Sequence, residues 1–239
     1  MLKAVLFDVD GTLIDTNHLH ASAWADTFRE FGHAIDIEDI DRQIGKGGDE
    51  LMPVFLSGDE VEARGKAIEK RYAAIFKERY LAQAKPFPHV PELFARLRRD
   101  GVRIALASSA KEDMLAEFKT IAGIDGLTDV ETTSDDAEAS KPNPDIFDAA
   151  RERFGDVARE EAIVVGDTPY DAEAATKAGL RTIGLTCGGW SEAELKQAGC
   201  ITVYRDPADL LANYEASPIA SATKATDWIS ADRHRTAKN

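Results

Sequence analysis

Two acidic side chains near the start of the chain, Asp8 and Asp10, are the first residues whose spacing indicates chemistry. They follow the apolar run of residues 4–7, which we expect to form a buried strand, and Gly11 then turns the chain. Open α/β sheets bind their ligands at this end of a strand. Two carboxylates so close repel each other unless a cation or a shared proton joins them. We therefore expect them to bind Mg²⁺, which prefers oxygen ligands. The alternative is a solvated acidic turn without a ligand.

A pair of serines, Ser108 and Ser109, follows a second apolar segment, residues 104–107. A hydroxyl and exposed backbone N–H groups at the end of a strand suit the oxygens of a phosphate group. Serine pairs are also common in ordinary turns, so that alternative stays open.

Two later segments add a lysine and two more carboxylates. Lys141 lies in Ser-Lys-Pro-Asn-Pro-Asp, residues 140–145, where two prolines stiffen the chain before a helix. A lysine held in this way is a better candidate for a fixed positive charge than a freely solvated one. Asp167 follows the apolar segment 162–166, and Asp171 lies at the start of the next helix. Both could bind a metal or orient its ligands.

The elements that must position these residues fall into two patterns. Residues 16–83 show only helical periodicity, with apolar side chains on one face of each helix. From residue 84 strands alternate with helices, which predicts a parallel sheet covered on both faces. We therefore expect an α/β fold with a Rossmann-like parallel sheet flanked by helices, formed by residues 1–15 and 84–215. An all-helical domain, residues 16–83, is inserted after the first strand.

The C-terminal residues 216–239 differ from the rest of the chain. Their apolar residues have no periodicity, and Ser, Ala, Thr and Lys dominate. We expect a tail that docks at most through Trp228, and its role cannot be inferred from its sequence.

Composition and charge exclude several classes of protein. The formal net charge of −14, from 29 basic and 43 acidic residues, argues against nucleic acid or an anionic membrane surface as a partner. No apolar run is long enough to span a membrane, and the first strand leaves no room for a signal peptide. The only cysteines, Cys187 and Cys200, lie in different predicted elements and are expected to be free thiols. These features favour a cytoplasmic location. The sequence does not indicate the oligomeric state.

Taken in order along the chain, the four segments resemble the motifs of the haloacid dehalogenase superfamily, whose members are mostly Mg²⁺-dependent phosphotransferases. The resemblance covers residues 1 to about 215 and implies that Asp8 is the nucleophile, forming an aspartyl-phosphate. It implies that Asp10 is the general acid for the leaving group and then the base that activates water. Ser108, with Ser109 beside it, and Lys141 would hold the phosphoryl group.

The same resemblance implies that Mg²⁺ is bound by the Asp8 carboxylate, the Asp10 backbone carbonyl and Asp167. Asp171 would be a helper carboxylate near the metal. Dehalogenases of the family carry Tyr and phosphonatases Ala at the position of Asp10, so the aspartate here is typical of an enzyme acting on phosphate esters. The helical insertion resembles the family's small α-helical cap, which closes over the site and excludes water.

Two segments of the insertion resemble the phosphoglycolate phosphatase and β-phosphoglucomutase subgroup. Residues 15–24 are similar to its cap hinge, in which a histidine matching His20 links closure to the acid/base group. Residues 44–48 are similar to its substrate loop, which implies that Lys46 and Gly47 contact the substrate. Each residue also has a simpler interpretation. His20 would then be a solvent-facing side chain at the start of a helix, and Lys46 a solvated lysine between glycines. Mutases carry an arginine just after this loop, whereas Asp49 and Glu50 follow it here.

The sequence therefore predicts a Mg²⁺-dependent phosphatase that hydrolyses a small phosphorylated metabolite through an aspartyl-phosphate. Two alternatives remain, a phosphosugar mutase that shares every core motif, and a non-catalytic member that only binds a phosphorylated metabolite. The substrate itself is not specified, because the residues of the cap that face the site cannot be chosen from sequence.

Overall fold

The computed structural model describes residues 2–220, and its centre is a six-stranded parallel sheet. The strands of the described residues are β1 (Ala4–Phe7), β2 (Ile14–Asp15), β3 (Lys85–Pro86), β4 (Arg103–Ala107), β5 (Val130–Thr132), β6 (Ala162–Gly166), β7 (Arg181–Leu185) and β8 (Cys200–Tyr204). The order across the sheet is β5-β4-β1-β6-β7-β8, while β2 and β3 form a separate antiparallel pair. Because β1 has β4 on one side and β6 on the other, the carboxyl ends of these three strands face one crevice.

Helices cover both faces of the sheet. The α-helices of the described residues are α1 (Asn17–Glu30), α2 (Ile37–Asp41), α3 (Gly48–Phe55), α4 (Gly58–Ile75), α5 (Val90–Arg99), α6 (Glu112–Ala122), α7 (Asp145–Phe154), α8 (Pro169–Lys177), α9 (Glu192–Ala198) and α10 (Pro207–Ala212). Side chains alternate along β1: Val5 and Phe7 pack towards α5, α6 and α10, and Ala4 and Leu6 pack towards α7 and α8. The predicted α/β class with a Rossmann-like parallel sheet is confirmed.

Helices α1 to α4 follow one another between β2 and β3 and have an apolar cluster of their own, so we call them and their loops the cap. Trp24 and Phe28 of α1 meet Leu51 of α3 and Ile68 of α4 in this cluster. Helix α3 has no helical signature in the sequence, because the glycines before it and Pro53 within it indicate a loop. A five-residue π-helical stretch, Phe76–Tyr80, continues α4.

The chain enters and leaves the cap through β2 and β3. Ile14 pairs with Pro86 and Asp15 with Lys85, so a two-residue strand lies at each crossing between the cap and the core. Two residues are too few to show the alternation of apolar and polar side chains by which a strand is recognised, so the sequence did not indicate β2 and β3. The boundaries at residues 15/16 and 83/84 stay a prediction of how the chain divides.

The last described residues pack against the core. Ser217, Ile219 and Ala220 are buried, the last two within the larger apolar cluster of the sheet. Trp228 lies outside the described residues, as does most of the predicted tail. Among the described helices, no stretch is both long enough and apolar enough to cross a membrane.

Candidate active site

The loop after β1 places Asp8 at the base of the crevice. The backbone N–H of Asp8 still donates to Val165 of β6, at 2.9 Å, so the sheet fixes its position. Gly11 has a φ of +75°, and a Cβ there would lie 2.4 Å from the Asp167 carboxylate. The turn therefore needs glycine for its conformation and for the close approach of its backbone. It also brings the Thr12 hydroxyl back to the carboxylates, donating to Asp8 at 3.1 Å and to Asp167 at 2.8 Å.

Lys141 lies inside the same group of carboxylates. Its ammonium forms a short ion pair with Asp8, lies 2.8 Å from the Asp171 carboxylate, and donates to the Ala107 carbonyl at the end of β4. The lysine is only 1% exposed, because the segment before α7 carries it beneath the ends of the strands. A buried ammonium that contacts two carboxylates is fixed in place, which agrees with the expected fixed charge.

Burial and like charge shift the pKa values of this group. Burial raises the pKa of the Asp8 carboxyl to about 7, against the opposing effect of Lys141 and with further increases from Asp171 and Asp10. Although burial disfavours the charged ammonium, the Asp171 and Asp8 carboxylates raise the pKa of Lys141 above its ordinary value. Lys141 is therefore a permanent cation, while Asp8 needs positive charge beside it to remain ionised near neutral pH.

Asp167 and Asp171 follow β6 and have different surroundings. Asp167 is fully buried and accepts from Thr12 and from the Asn17 amide, at 2.8 Å each. Asp171 closes a capping box at the start of α8: one of its oxygens accepts from the Thr168 backbone N–H and hydroxyl. The other carboxylate oxygen faces Lys141. Asp171 thus orients the lysine as well as the helix.

The carboxylates of Asp8, Asp167 and Asp171 form one acidic group with the charge and the oxygen atoms that attract a metal ion. One oxygen from each lies within 4.8 Å of the others, and all three residues are buried. Burial, and next the charge of Asp8, raises the pKa of Asp167 well above its ordinary value. A divalent cation would relieve this repulsion, and a hard cation such as Mg²⁺ suits an all-oxygen donor set. The Asp10 carboxylate is not part of this group.

Asp10 instead faces the cap through a chain of hydrogen bonds. One of its carboxylate oxygens lies 2.8 Å from His20 Nε2 and accepts from Thr16 at 2.7 Å. The other ring nitrogen of His20 lies 2.7 Å from the Tyr72 hydroxyl of α4, and Phe76 stacks on the imidazole with 4.1 Å between ring centres. Although burial acts in the opposite direction, His20 holds the pKa of Asp10 below its ordinary value.

The two serines after β4 lie at different depths. Ser108 is fully buried, and its hydroxyl accepts from the backbone N–H of Ala110, at 3.1 Å, which shapes the turn. Ser109 lines the cavity between the cap and the core. Their predicted contact with a phosphate group stays a prediction.

The cap loop of residues 44–48 docks on the segment that carries Lys141. Gly47 packs so closely that a Cβ there would meet the Ser140 hydroxyl at 2.0 Å. Lys46 donates to Gln43 at 2.7 Å, and its ammonium lies 4.7 Å from the centre of the Tyr170 ring. Lys46 and Gly47 both line the cavity, as Asp8, Asp10 and His20 do. Together with Ser109, these residues share one space of about 450 Å³, whereas Ser108, Lys141, Asp167 and Asp171 are not among its lining residues.

Thr12, Asn17 and Tyr72 are among the residues of this site to which the sequence assigned no role. Thr12 lies within the first motif, but its link between Asp8 and Asp167 depends on a contact across 155 residues. Asn17 lies in the hinge segment, and its amide joins Asp167 to the Gly188 carbonyl. In the sequence, Tyr72 is recognisable only as one of the apolar positions of a helix. Contacts between distant segments determine the function of all three.

Comparisons with known proteins agree with this geometry. A family model described as haloacid dehalogenase-like hydrolase matches residues 5–185. The validoxylamine A 7'-phosphate phosphatase of Streptomyces hygroscopicus subsp. limoneus is 31% identical, over 81% of this chain and 90% of that protein. The phosphoglycolate phosphatase of Aquifex aeolicus is 28% identical, over 76% of this chain and 83% of that protein.

A solved structure shows the same architecture. A hydrolase from Pseudomonas syringae superposes with a TM-score of 0.83 at 28% sequence identity, covering 90% of this chain and 98% of that one. The matched family region includes β1 with Asp8, the segment of Lys141, and β6 with the two carboxylates that follow it. This chain therefore belongs to the haloacid dehalogenase-like hydrolase family.

Proposed function

We propose that this protein is a Mg²⁺-dependent phosphatase that hydrolyses a small phosphate monoester through an aspartyl-phosphate on Asp8. The observation that carries the proposal is the pair of carboxylates after β1 and their opposite surroundings. Asp8 is buried against Lys141 and the acidic group of Asp167, while Asp10 opens into the cavity and is held by His20. One carboxylate is placed for attack on phosphorus and the other for proton transfer. Relatives named for phosphoglycolate and for a 7'-phosphate support an ester as substrate.

In the first step an oxygen of Asp8 attacks phosphorus, and the bond between phosphorus and the leaving oxygen breaks. Asp10 gives its proton to that oxygen, so the product leaves as an alcohol rather than an alkoxide. The low pKa of Asp10 means that this residue must first gain a proton, and the arrival of a phosphate dianion in the cavity favours its neutral form. Lys141 screens the charge of the phosphoryl oxygens from Asp8.

In the second step water attacks the phosphorus of the aspartyl-phosphate and gives a proton to Asp10, which the first step left ionised. The bond between phosphorus and the Asp8 oxygen breaks and releases inorganic phosphate. His20 and Thr16 hold the ionised Asp10 in the orientation this step needs. Dividing the displacement in this way replaces one difficult reaction by two easier ones.

Mg²⁺ would be held by the carboxylates of Asp8 and Asp167 and by the backbone carbonyl of Asp10. When bound, it supplies positive charge to the phosphoryl oxygens and to the nucleophile. Thr12 and Asn17 hold Asp167 in the orientation that this binding requires. Asp171 would act from outside the coordination sphere, because its oxygens already face Thr168 and Lys141.

The loop after Gly47 favours a phosphatase over a phosphosugar mutase. Asp49 accepts from the backbone N–H of Ser140 and Glu50 from the Asn143 amide, at 3.0 Å each. These carboxylates stand where the mutases place an arginine, so a second phosphate would find no basic anchor at this point of the loop. They bind the cap to the Lys141 segment instead.

A panel of phosphate monoesters, assayed with and without Mg²⁺, tests the proposal. We expect inorganic phosphate from several esters with Mg²⁺ present, and less than a hundredth of that rate in excess EDTA. Isomerisation of a sugar phosphate that needs a catalytic bisphosphate would instead identify a mutase. Binding of the esters without turnover would identify a non-catalytic member, and full activity in EDTA would overturn the role of the metal.

A further inference from the structure

The cavity between the cap and the core is larger than a phosphate group needs. Its volume of about 450 Å³ lies within the range of about 300–1,000 Å³ that is typical of sites for drug-sized ligands. The space beyond Asp10 is lined by large apolar and aromatic side chains: Trp24, Ile44, Tyr72, Phe76 and Met114. Filling this space with an apolar group releases water from apolar surface, whereas a phosphate with a very small substituent leaves it unused.

Helix α4 gives this cavity a charged outer end. One face of α4 lines the cavity with residues three or four positions apart: Lys66, Glu69, Lys70 and Ala73. Phe76 follows on the same face and stacks on His20. At 1.5 Å per residue, Lys70 lies about 9 Å along the axis from Phe76, and Lys66 about 15 Å. The ammonium groups are therefore on the side of the cavity away from the reacting phosphate.

Positive charge dominates this part of the cavity, although the whole chain carries a net charge of −14. Four lysines line the cavity, and two of them are engaged: Lys46 donates to Gln43, and Lys111 pairs with Asp135 at 3.1 Å. Lys66 and Lys70 form no ion pair with any residue between 2 and 220, and the single carboxylate of this stripe is Glu69. Two free ammonium groups beside an apolar wall suit a ligand that is apolar in its middle and anionic at its far end.

We propose that the substrate is a phosphate monoester whose alcohol has an apolar or aromatic body and carries a second anionic group, which Lys66 and Lys70 bind. This inference rests on the proposed function and names the substrate class of the same cavity. The phosphate lies against Asp8 and Lys141, the body lies along Trp24 and Phe76, and the second anion lies towards the outer end of α4. Binding energy at this distant group is available to orient the ester for attack.

Three aryl phosphates of one shape test the proposal: 4-carboxyphenyl phosphate, phenyl phosphate and 4-(aminomethyl)phenyl phosphate. We expect KM for 4-carboxyphenyl phosphate to be about five to ten times lower than for phenyl phosphate. A partly exposed pair of charges strengthens binding by about fivefold or less for each lysine. The amine should bind more weakly than either. 2-Phosphoglycolate, which leaves the cavity mostly empty, should have the lowest kcat/KM of the series.

Paired variants assign the effect to the two lysines. In Lys66→Gln/Lys70→Gln we expect the ratio of KM between phenyl and 4-carboxyphenyl phosphate to fall towards one. Lys77→Gln/Lys196→Gln removes the same charge from residues that pair with Asp113 and Glu192 outside the cavity, and should keep the wild-type ratio. An unchanged ratio in the first variant, a preference for the amine, or the highest kcat/KM for 2-phosphoglycolate would overturn the substrate class.

Binding separates this inference from the proposed function. Titration calorimetry of Asp8→Asn protein measures the affinity for 4-carboxyphenyl phosphate without turnover, alone and combined with the lysine changes. If the wild type hydrolyses no ester but 4-carboxyphenyl phosphate still binds through the two lysines, the proposed function is wrong and the ligand class stands. If all three aryl esters are hydrolysed with equal KM, the ligand class is wrong and the phosphatase stands.

Discussion

The two sides of the cavity differ in how their charged groups are held. On the core side, Asp8, Lys141, Asp167 and Asp171 are all at most 7% exposed. Each contacts at least two other polar groups. On the cap side, Lys66, Glu69 and Lys70 are exposed on one face of α4. The core side is organised before a ligand arrives, and the cap side depends on the ligand for its partners.

This difference separates reaction chemistry from selection of the substrate. Removing one partner of a buried charge leaves the other uncompensated, so the groups of the core tolerate little change. Exposed charges interact weakly and can be exchanged at small cost, so the cap can change its ligand while the core keeps its reaction. His20 and Tyr72 connect the two sides, because they link α1 and α4 to Asp10.

The largest effect is expected from Asp8→Asn, which replaces the nucleophile by a neutral group of the same shape. We expect kcat to fall by at least about 10³-fold with the fold intact, since a covalent step cannot begin from the amide. Steady-state kinetics and circular dichroism check this, with Asp39→Asn, an exposed carboxylate of α2, as the control. Activity within tenfold of wild type would show that the core side does not hold the nucleophile.

Asp10→Asn should show a loss that depends on the leaving group. We expect kcat to fall by about 10²–10⁴-fold for an alkyl ester such as 2-phosphoglycolate, whose alkoxide needs a proton. The loss should be much smaller in the first step for 4-nitrophenyl phosphate, because nitrophenolate leaves without one. Burst kinetics measure that step separately. Equal losses for both esters would contradict the role of Asp10 as the acid.

Magnesium should stabilise the protein more at pH 8 than at pH 5. The pKa of Asp8 is raised from 3.8 to about 7, so in the metal-free protein its favourable contribution is complete below pH 4 and lost as the pH rises through 7. A rise of that size corresponds to roughly 4 kcal/mol in the free energy of unfolding. Asp10, whose pKa is lowered, stays ionised over this whole range.

Thermal unfolding with and without Mg²⁺ measures this difference. We expect an increase in Tm of several degrees at pH 8, since each kcal/mol shifts Tm by about 2–4 °C in a domain of this size, and less than half of that at pH 5. Asp167→Asn should remove most of the increase. A larger increase at pH 5 than at pH 8 would contradict the metal site on these carboxylates.

Tyr72→Phe should have the smallest effect and tests the link between the sides. The hydroxyl lies 2.7 Å from His20 Nδ1 and positions the ring whose Nε2 lies against Asp10, and His20 keeps the pKa of Asp10 low. Without it we expect kcat to fall by about threefold to tenfold, and the acidic limb of the profile of kcat/KM against pH to move upward. Tyr80→Phe removes a hydroxyl that donates to Asp26 instead and should leave the profile unchanged. An unchanged profile in Tyr72→Phe would show that Tyr72 only packs.

The alternation of strands with helices and the residues at the strand ends followed from the sequence, because both depend on local patterns. Apolar runs of four or five residues separated by amphipathic helices define a parallel sheet, and parallel strands bring their carboxyl ends to one edge. Asp8, Lys141 and Asp167 could therefore be expected to meet before any contact was known. Helix α3 could not be predicted, because its glycines and Pro53 oppose the helix that packing of Leu51 in the cap stabilises.

The sequence by itself thus determined the sheet, the inserted helices and the position of the acidic residues, since strand and helix periods are properties of neighbouring residues. Only the tertiary structure decided which side chains complete the site. Asn17 reaches Asp167 across 150 residues, Asp49 reaches Ser140 across 91, and Tyr72 reaches His20 across 52. The packing of the cap on the core sets these pairings, and no spacing within a single segment encodes them.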